Sequence, residues 1–121
     1  MTKYVYFYSS MHELSNFGAF IRELRVGRNI PQRKVAAILD IDTSTLSKIE
    51  RGERDANREM IKQIAEFFAI DQRKLLHSFL SDKIAKQLYI EPDSAEILHL
   101  AEEKVRYLKN IKSQQATINL K

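Results

Sequence analysis

The chain of 121 residues has no cysteine and no tryptophan, only two prolines and three glycines. Without cysteine it can form neither a disulfide nor a thiolate zinc site, and a reducing cytoplasmic setting is expected. The scarcity of Pro and Gly leaves long stretches free to be helical. No apolar run approaches the roughly 20 residues needed to cross a bilayer. The segment Tyr4-Val5-Tyr6-Phe7-Tyr8 is also too short for the apolar core of a signal peptide. Glycine-rich phosphate loops are missing, and no serine has the His/Asp context of a nucleophile. His12, His77 and His99 lie far apart without metal-ligand spacing, and Glu102-Glu103 sits beside lysine as part of a charged helix face. Accordingly no metal, cofactor, small-molecule ligand, membrane partner or catalytic activity is expected.

What remains is a chain that is 44% hydrophobic and 30% charged, with a net charge of +4. That is enough apolar material for a core, and the mild basicity permits a nucleic-acid partner without demanding one. The position of the charges has to decide.

Helical periodicity dominates, so the expected fold is all-α. A first helix is predicted over about Asn16 to Arg28, with Phe17, Phe20, Ile21 and Leu24 inward and Asn29-Ile30-Pro31 ending it. A second begins at Pro31 or Gln32 and buries Val35, Ala36 and Leu39. A third opens after Asp42 as N-cap and closes before Gly52, with Leu46 and Ile49 inward. A fourth spans about Asn57 to Phe68. Asp71 caps a fifth, in which Leu75, Leu76, Phe79 and Leu80 are expected to be buried. Residues 81–112 read as a helical extension: Ser81 to Tyr89 can continue helically, Glu91-Pro92 interrupts, and a long helix follows to about Lys112. Residues 113–121 carry little periodic signal and are expected to be a mobile tail. Residues 1–15 form an N-terminal arm, and 1–10 are either a leader ahead of Met11 or a short strand.

The segment Gln32 to Gly52 is the informative one. Two short helices sit close together, and the second is largely polar. A helix with two or three buried side chains stabilises itself poorly. Its shape suits a helix that protrudes into a DNA major groove, supported by the one before it. Its outward residues Thr43, Ser44, Ser47 and Lys48 are short donors and acceptors plus one long cation, a set that matches base edges.

Over about Phe17 to Leu80 the chain resembles the phage repressor/Cro-like helix-turn-helix proteins, the XRE family. The resemblance is carried by Leu24-Arg25, Arg28, Gln32, Val35-Ala36 and Thr45-Leu46-Ser47-Lys48-Ile49-Glu50-Arg51-Gly52. It implies a five-helix, lambda-repressor-like DNA-binding domain over residues 16–80. It also implies roles by position: Thr43, Ser44 and Lys48 match the base readers. Gln32 matches the residue that touches a phosphate and steadies the recognition helix. Arg25 and Glu50 match a structural ion pair, and Arg54, Asn57 and Arg58 fall where the DNA backbone is clamped. The chain departs from the pattern twice. Asp40 stands where the turn usually has glycine, and Pro31 replaces a small polar residue.

The long C-terminal helix has two adjacent apolar seams, Ile97-Leu100-Tyr107-Ile111 and Leu98-Ala101-Val105-Leu108. It can fold back on its own core or pair with a twin, and Ile97, Leu98, Ala101, Val105 and Leu108 are the expected dimer contacts. The expected function is a homodimeric transcription regulator, a repressor on a pseudo-palindromic operator. It looks like the compact controllers that accompany restriction-modification genes, or like a phage-type repressor. Two alternatives stand beside it: an antitoxin that also binds its own promoter, and a helix-turn-helix adaptor that binds only proteins.

Overall fold

In the computed structural model, which describes residues 16–120, six α-helices follow one another and no strand occurs among the described residues. They are α1 Phe17–Gly27, α2 Gln32–Leu39, α3 Thr43–Glu50, α4 Arg58–Phe68, α5 Gln72–Leu88 and α6 Ser94–Leu120. The readings made for residues 1–15 lie outside the described residues.

Side-chain caps set the helix starts. Asn16 Oδ1 accepts from the Ala19 N–H at 2.8 Å, Asp42 Oδ1 from Thr45 at 2.7 Å and Asn57 Oδ1 from Met60 at 2.8 Å. Each satisfies a first-turn donor that has no partner inside the helix. Asp71 does the same for Lys74 N–H at 3.1 Å ahead of α5. Pro31 sits at the N-cap of α2 and offers no side-chain cap, so α2 opens without one.

Several helix ends need left-handed backbone. Gly52, at φ 77°, takes it after α3 without steric cost. Asp40 does so after α2 at φ 56°, filling the turn position where glycine is usual, and Ala69 does so after α4 at φ 54°. Asp tolerates this conformation better than most residues, whereas Ala does not.

The core lies within residues 16–83. Phe20, Ile21, Leu46, Ile61, Ile64, Phe68 and Leu75 are closed to solvent, and Phe17 meets Phe79 edge-on at 5.2 Å. Arg28 bridges two helix ends: its Nη1 donates to the Phe68 carbonyl at 2.7 Å while the guanidinium lies 5.3 Å from the Phe68 ring centre. A cation at the C-terminus of α4 also faces the negative end of the helix dipole.

Two differences from the sequence reading concern the last helices. In α5, which continues helically to Leu88, Leu76 and Leu80 are only half-buried where burial was expected, while Leu75 and Phe79 are buried, because only one stripe of α5 meets the core. The chain divides into two compact units between Lys83 and Ile84, inside that helix. In the second unit, α6 continues to Leu120 instead of ending near Lys112. Residues 113–120, expected as a mobile tail, carry the helix on. Gln and Ala favour helix and no Gly or Pro interrupts it. The Thr117 hydroxyl donates back to the Ser113 carbonyl at 3.1 Å.

Candidate nucleic-acid interface

Helix α3 is held by its inner face and its two ends. Leu46 is 0% exposed and Ile49 2%, and these are the apolar anchors. The opposite face carries Thr43, Ser44 and Lys48, all exposed, with Ser47 half-buried at its edge. So short a helix needs further support, and polar contacts supply it.

The Glu50 carboxylate, on a side chain 2% exposed, is gripped from two other helices. Arg25 of α1 donates twice, Nε to Oε2 at 2.8 Å and Nη2 to Oε1 at 3.1 Å. Gln32 of α2 donates its amide Nε2–H to Oε1 at 3.0 Å. The Ser47 hydroxyl then donates to the Gln32 amide oxygen at 3.1 Å, and Arg25 Nη1 reaches the Ile30 carbonyl at 3.0 Å. A buried charge is tolerated only when paired and hydrogen-bonded, and this one is both. The network fixes α3 against α1 and α2 at its C-terminal end.

A close backbone approach adds to that grip. A Cβ on Gly18 of α1 would lie 2.7 Å from the Glu50 carbonyl oxygen and 2.9 Å from its carbon, and would also collide with the Ile49 carbonyl. Only glycine lets α1 come this near to the end of α3.

Positive charge gathers around α3: Lys48 lies in its last turn, and Arg54 and Arg58 follow it in the chain. Asp42 has its carboxyl held below the usual carboxylate range, first by hydrogen bonds from Thr45 and further by the charges of Lys48 and Arg54. Arg58 opens α4 and is exposed, immediately after its capping Asn57. Arg51 is tied to Glu53, whose carboxyl is lowered first by the hydrogen bond from Arg51 and then by its charge and that of Lys48.

This is a short polar helix, rigidly seated, flanked by cations and packed on a second short helix through a tight left-handed turn. The family model of the helix-turn-helix domain matches residues 18–78. The chain belongs to the helix-turn-helix domain family. It is a DNA-binding regulator of the XRE type, and α2 and α3 are the paired helices of its domain. No curated protein and no solved structure matches the chain.

Within the helix-turn-helix unit, the proposed site residues fall into two sets. Gln32, Ser47, Glu50 and Arg25 are joined in one bonded cluster. Thr43, Ser44, Lys48, Arg54 and Arg58 are exposed, and Asn57 caps α4. The sequence reading did not single out Gly18, the Ser47–Gln32 bond or the Arg51–Glu53 pair. A glycine next to Phe17 on an apolar helix face was the available signal for the first. Ile97, Leu98, Ala101, Val105 and Leu108 lie on α6 in the second unit, all exposed. Among the described residues no helix is long and apolar enough to cross a membrane, and no cluster of His, Asp or Glu could hold a metal.

Proposed function

We propose that this regulator is a homodimer that represses from a pseudo-palindromic operator, each copy laying α3 in a major groove. Thr43, Ser44 and Lys48 read base edges, Lys48 by reaching guanine O6 or N7. Ser47 takes a narrower part. Its hydroxyl hydrogen is committed to Gln32, so toward DNA it acts as an acceptor. Gln32 spends one amide N–H on Glu50 and offers the other to a phosphate. Arg54 and Arg58 bind phosphates, with Asn57 shaping the helix start between them.

The observation that carries this reading is the contrast between the two faces of α3. One side is bonded into the domain through Leu46, Ile49 and Glu50, and the other offers only hydrogen-bonding groups and a cation. Dimerisation through α6 supplies the second reader. One short helix reads few base pairs, and a symmetric pair on half-sites about one turn apart multiplies the discrimination. The exposed seam of Ile97, Leu98, Ala101, Val105 and Leu108 supports that pairing.

The test is a binding selection from random duplexes, followed by footprinting upstream of the gene itself. An enriched inverted repeat with half-sites near one helical turn apart is expected. Enrichment of no motif at all contradicts the proposal.

A further inference from the structure

Charge is segregated along α6 in a way that the apolar seam alone does not require. From Glu91 to Glu103 the ionised groups are Glu91, Asp93, Glu96, Glu102 and Glu103, with no Lys or Arg among them. From Lys104 to Lys112 they are Lys104, Arg106, Lys109 and Lys112, with no acid. A lone helix favours acids at its start and bases at its end, but that dipole effect fades within the first and last turns. Here the sign changes between Glu103 and Lys104, in mid-helix and far from both ends. The dipole therefore explains Glu96 but not the abrupt switch.

The apolar residues straddle the same point. Leu98, Val105 and Leu108 are 48%, 50% and 61% exposed, and with Ala101 they form a seam centred near residue 103. Ile84 and Leu88, from the last turns of α5, extend it into an open groove beside Leu98, Ala101 and Val105. This groove lies wholly within the second unit.

We infer that α6 pairs with the α6 of a second copy in antiparallel orientation, pivoting at Glu103. The inference rests on the dimer proposed above and specifies its geometry. Turned end for end about that pivot, Leu98 lies against the partner copy's Leu108 and Ala101 against its Val105. The acidic half of each helix then lies along the basic half of the other. A parallel pair sets acid against acid and base against base along its whole length. The antiparallel pair also separates the two Ser94 entry points by about 27 Å, at 1.5 Å per residue. Parallel helices bring those points to about 10 Å.

The absence of native cysteine makes the test direct. Leu98→Cys and Leu108→Cys variants of the full chain, one isotopically labelled, are oxidised separately and as a mixture, and the disulfides are mapped by mass spectrometry. The mixed 98–108 disulfide is expected to exceed either homodisulfide several-fold, with little cross-linking in the separate samples. Efficient homodisulfides at both positions overturn the antiparallel arrangement and leave the dimer intact. A wild-type chain that sediments as a monomer overturns the dimer and this inference together. A second variant avoids the seam: Glu96→Lys with Glu102→Lys and Glu103→Lys, all on exposed positions. It is expected to weaken self-association at least several-fold in sedimentation, because both halves are then basic. Unchanged association again overturns the antiparallel pairing, since a parallel pair merely exchanges one like-charge repulsion for another.

Discussion

The two units of this chain dispose of their apolar residues in opposite ways. In residues 16–83 the large side chains of α1, α3, α4 and α5 close on one another, and even the charged Glu50 is enclosed with its partners. In residues 84–117 no described side chain is buried, although Leu98, Leu100, Val105 and Leu108 recur on one helix. The first unit has what it needs to be stable as a single copy. The second is a helix whose apolar surface waits for something to cover it. Reading DNA demands a rigid, self-sufficient frame, whereas the proposed doubling of the reader needs a surface left open.

That contrast can be broken most forcefully at the frame. Arg25→Ala leaves the enclosed Glu50 carboxylate with Gln32 as its remaining side-chain donor. Unfolding by urea is expected to show a loss of about 4 kcal/mol in the first unit, the scale for a buried ion pair stripped of one partner. A loss below about 1 kcal/mol would mean that the network does not hold α3, since that is the scale of an exposed pair.

Next comes Gly18→Ala, which pushes a methyl into the backbone at the end of α3 and is expected to cost about 3 kcal/mol. Gly27→Ala is the matched control. Its Cβ would meet nothing within 4 Å, so the same melting experiment should show no loss. Equal losses at both glycines would remove the close approach from the account.

Smaller effects sharpen the comparison. Ala69→Gly relieves a left-handed alanine after α4 and is expected to gain about 0.5–1 kcal/mol in thermal denaturation. Smallest of all is the removal of 94–121. The first unit should melt as before, because its core lies within residues 16–83, while sedimentation should report a monomer. A large drop in melting temperature would show that α6 belongs to the frame, and persistent dimers would place the interface elsewhere.

Much of the frame was legible from the residues alone. Asn16, Asp42, Asn57 and Asp71 announce helix starts because a short polar oxygen there meets an orphan N–H. Asp40 could be read as a left-handed turn residue because few other side chains tolerate that backbone. Gly18 could not be read in the same way. Its importance comes from two helices, far apart in sequence, meeting at one atom's distance, and periodicity carries no such information. Ser47 shows the same limit: as a polar residue on a polar helix it read as a base contact, and only geometry reveals that its hydrogen is turned to Gln32. The helix through residues 113–120 was missed because its apolar residues, Ala116, Ile118 and Leu120, are spaced by two and give no helical period, leaving propensity alone to report it. The charge reversal at Glu103-Lys104 stood in the sequence throughout, on a helix already expected there, but it gained meaning only once α6 was found exposed across it.

The central claim is that the outer face of α3 reads sequence while its flanks hold the backbone, and one paired titration tests it most directly. Lys48→Ala and Arg58→Ala are compared on the selected operator and on randomised duplex over a range of salt. Lys48→Ala is expected to lose about 1–3 kcal/mol on the operator and little on random DNA. Arg58→Ala should weaken both alike and reduce the slope of log affinity against log salt by about 0.9. Equal losses for Lys48→Ala on operator and random DNA would contradict the account, because Lys48 would then be another phosphate contact and α3 would not be the reader.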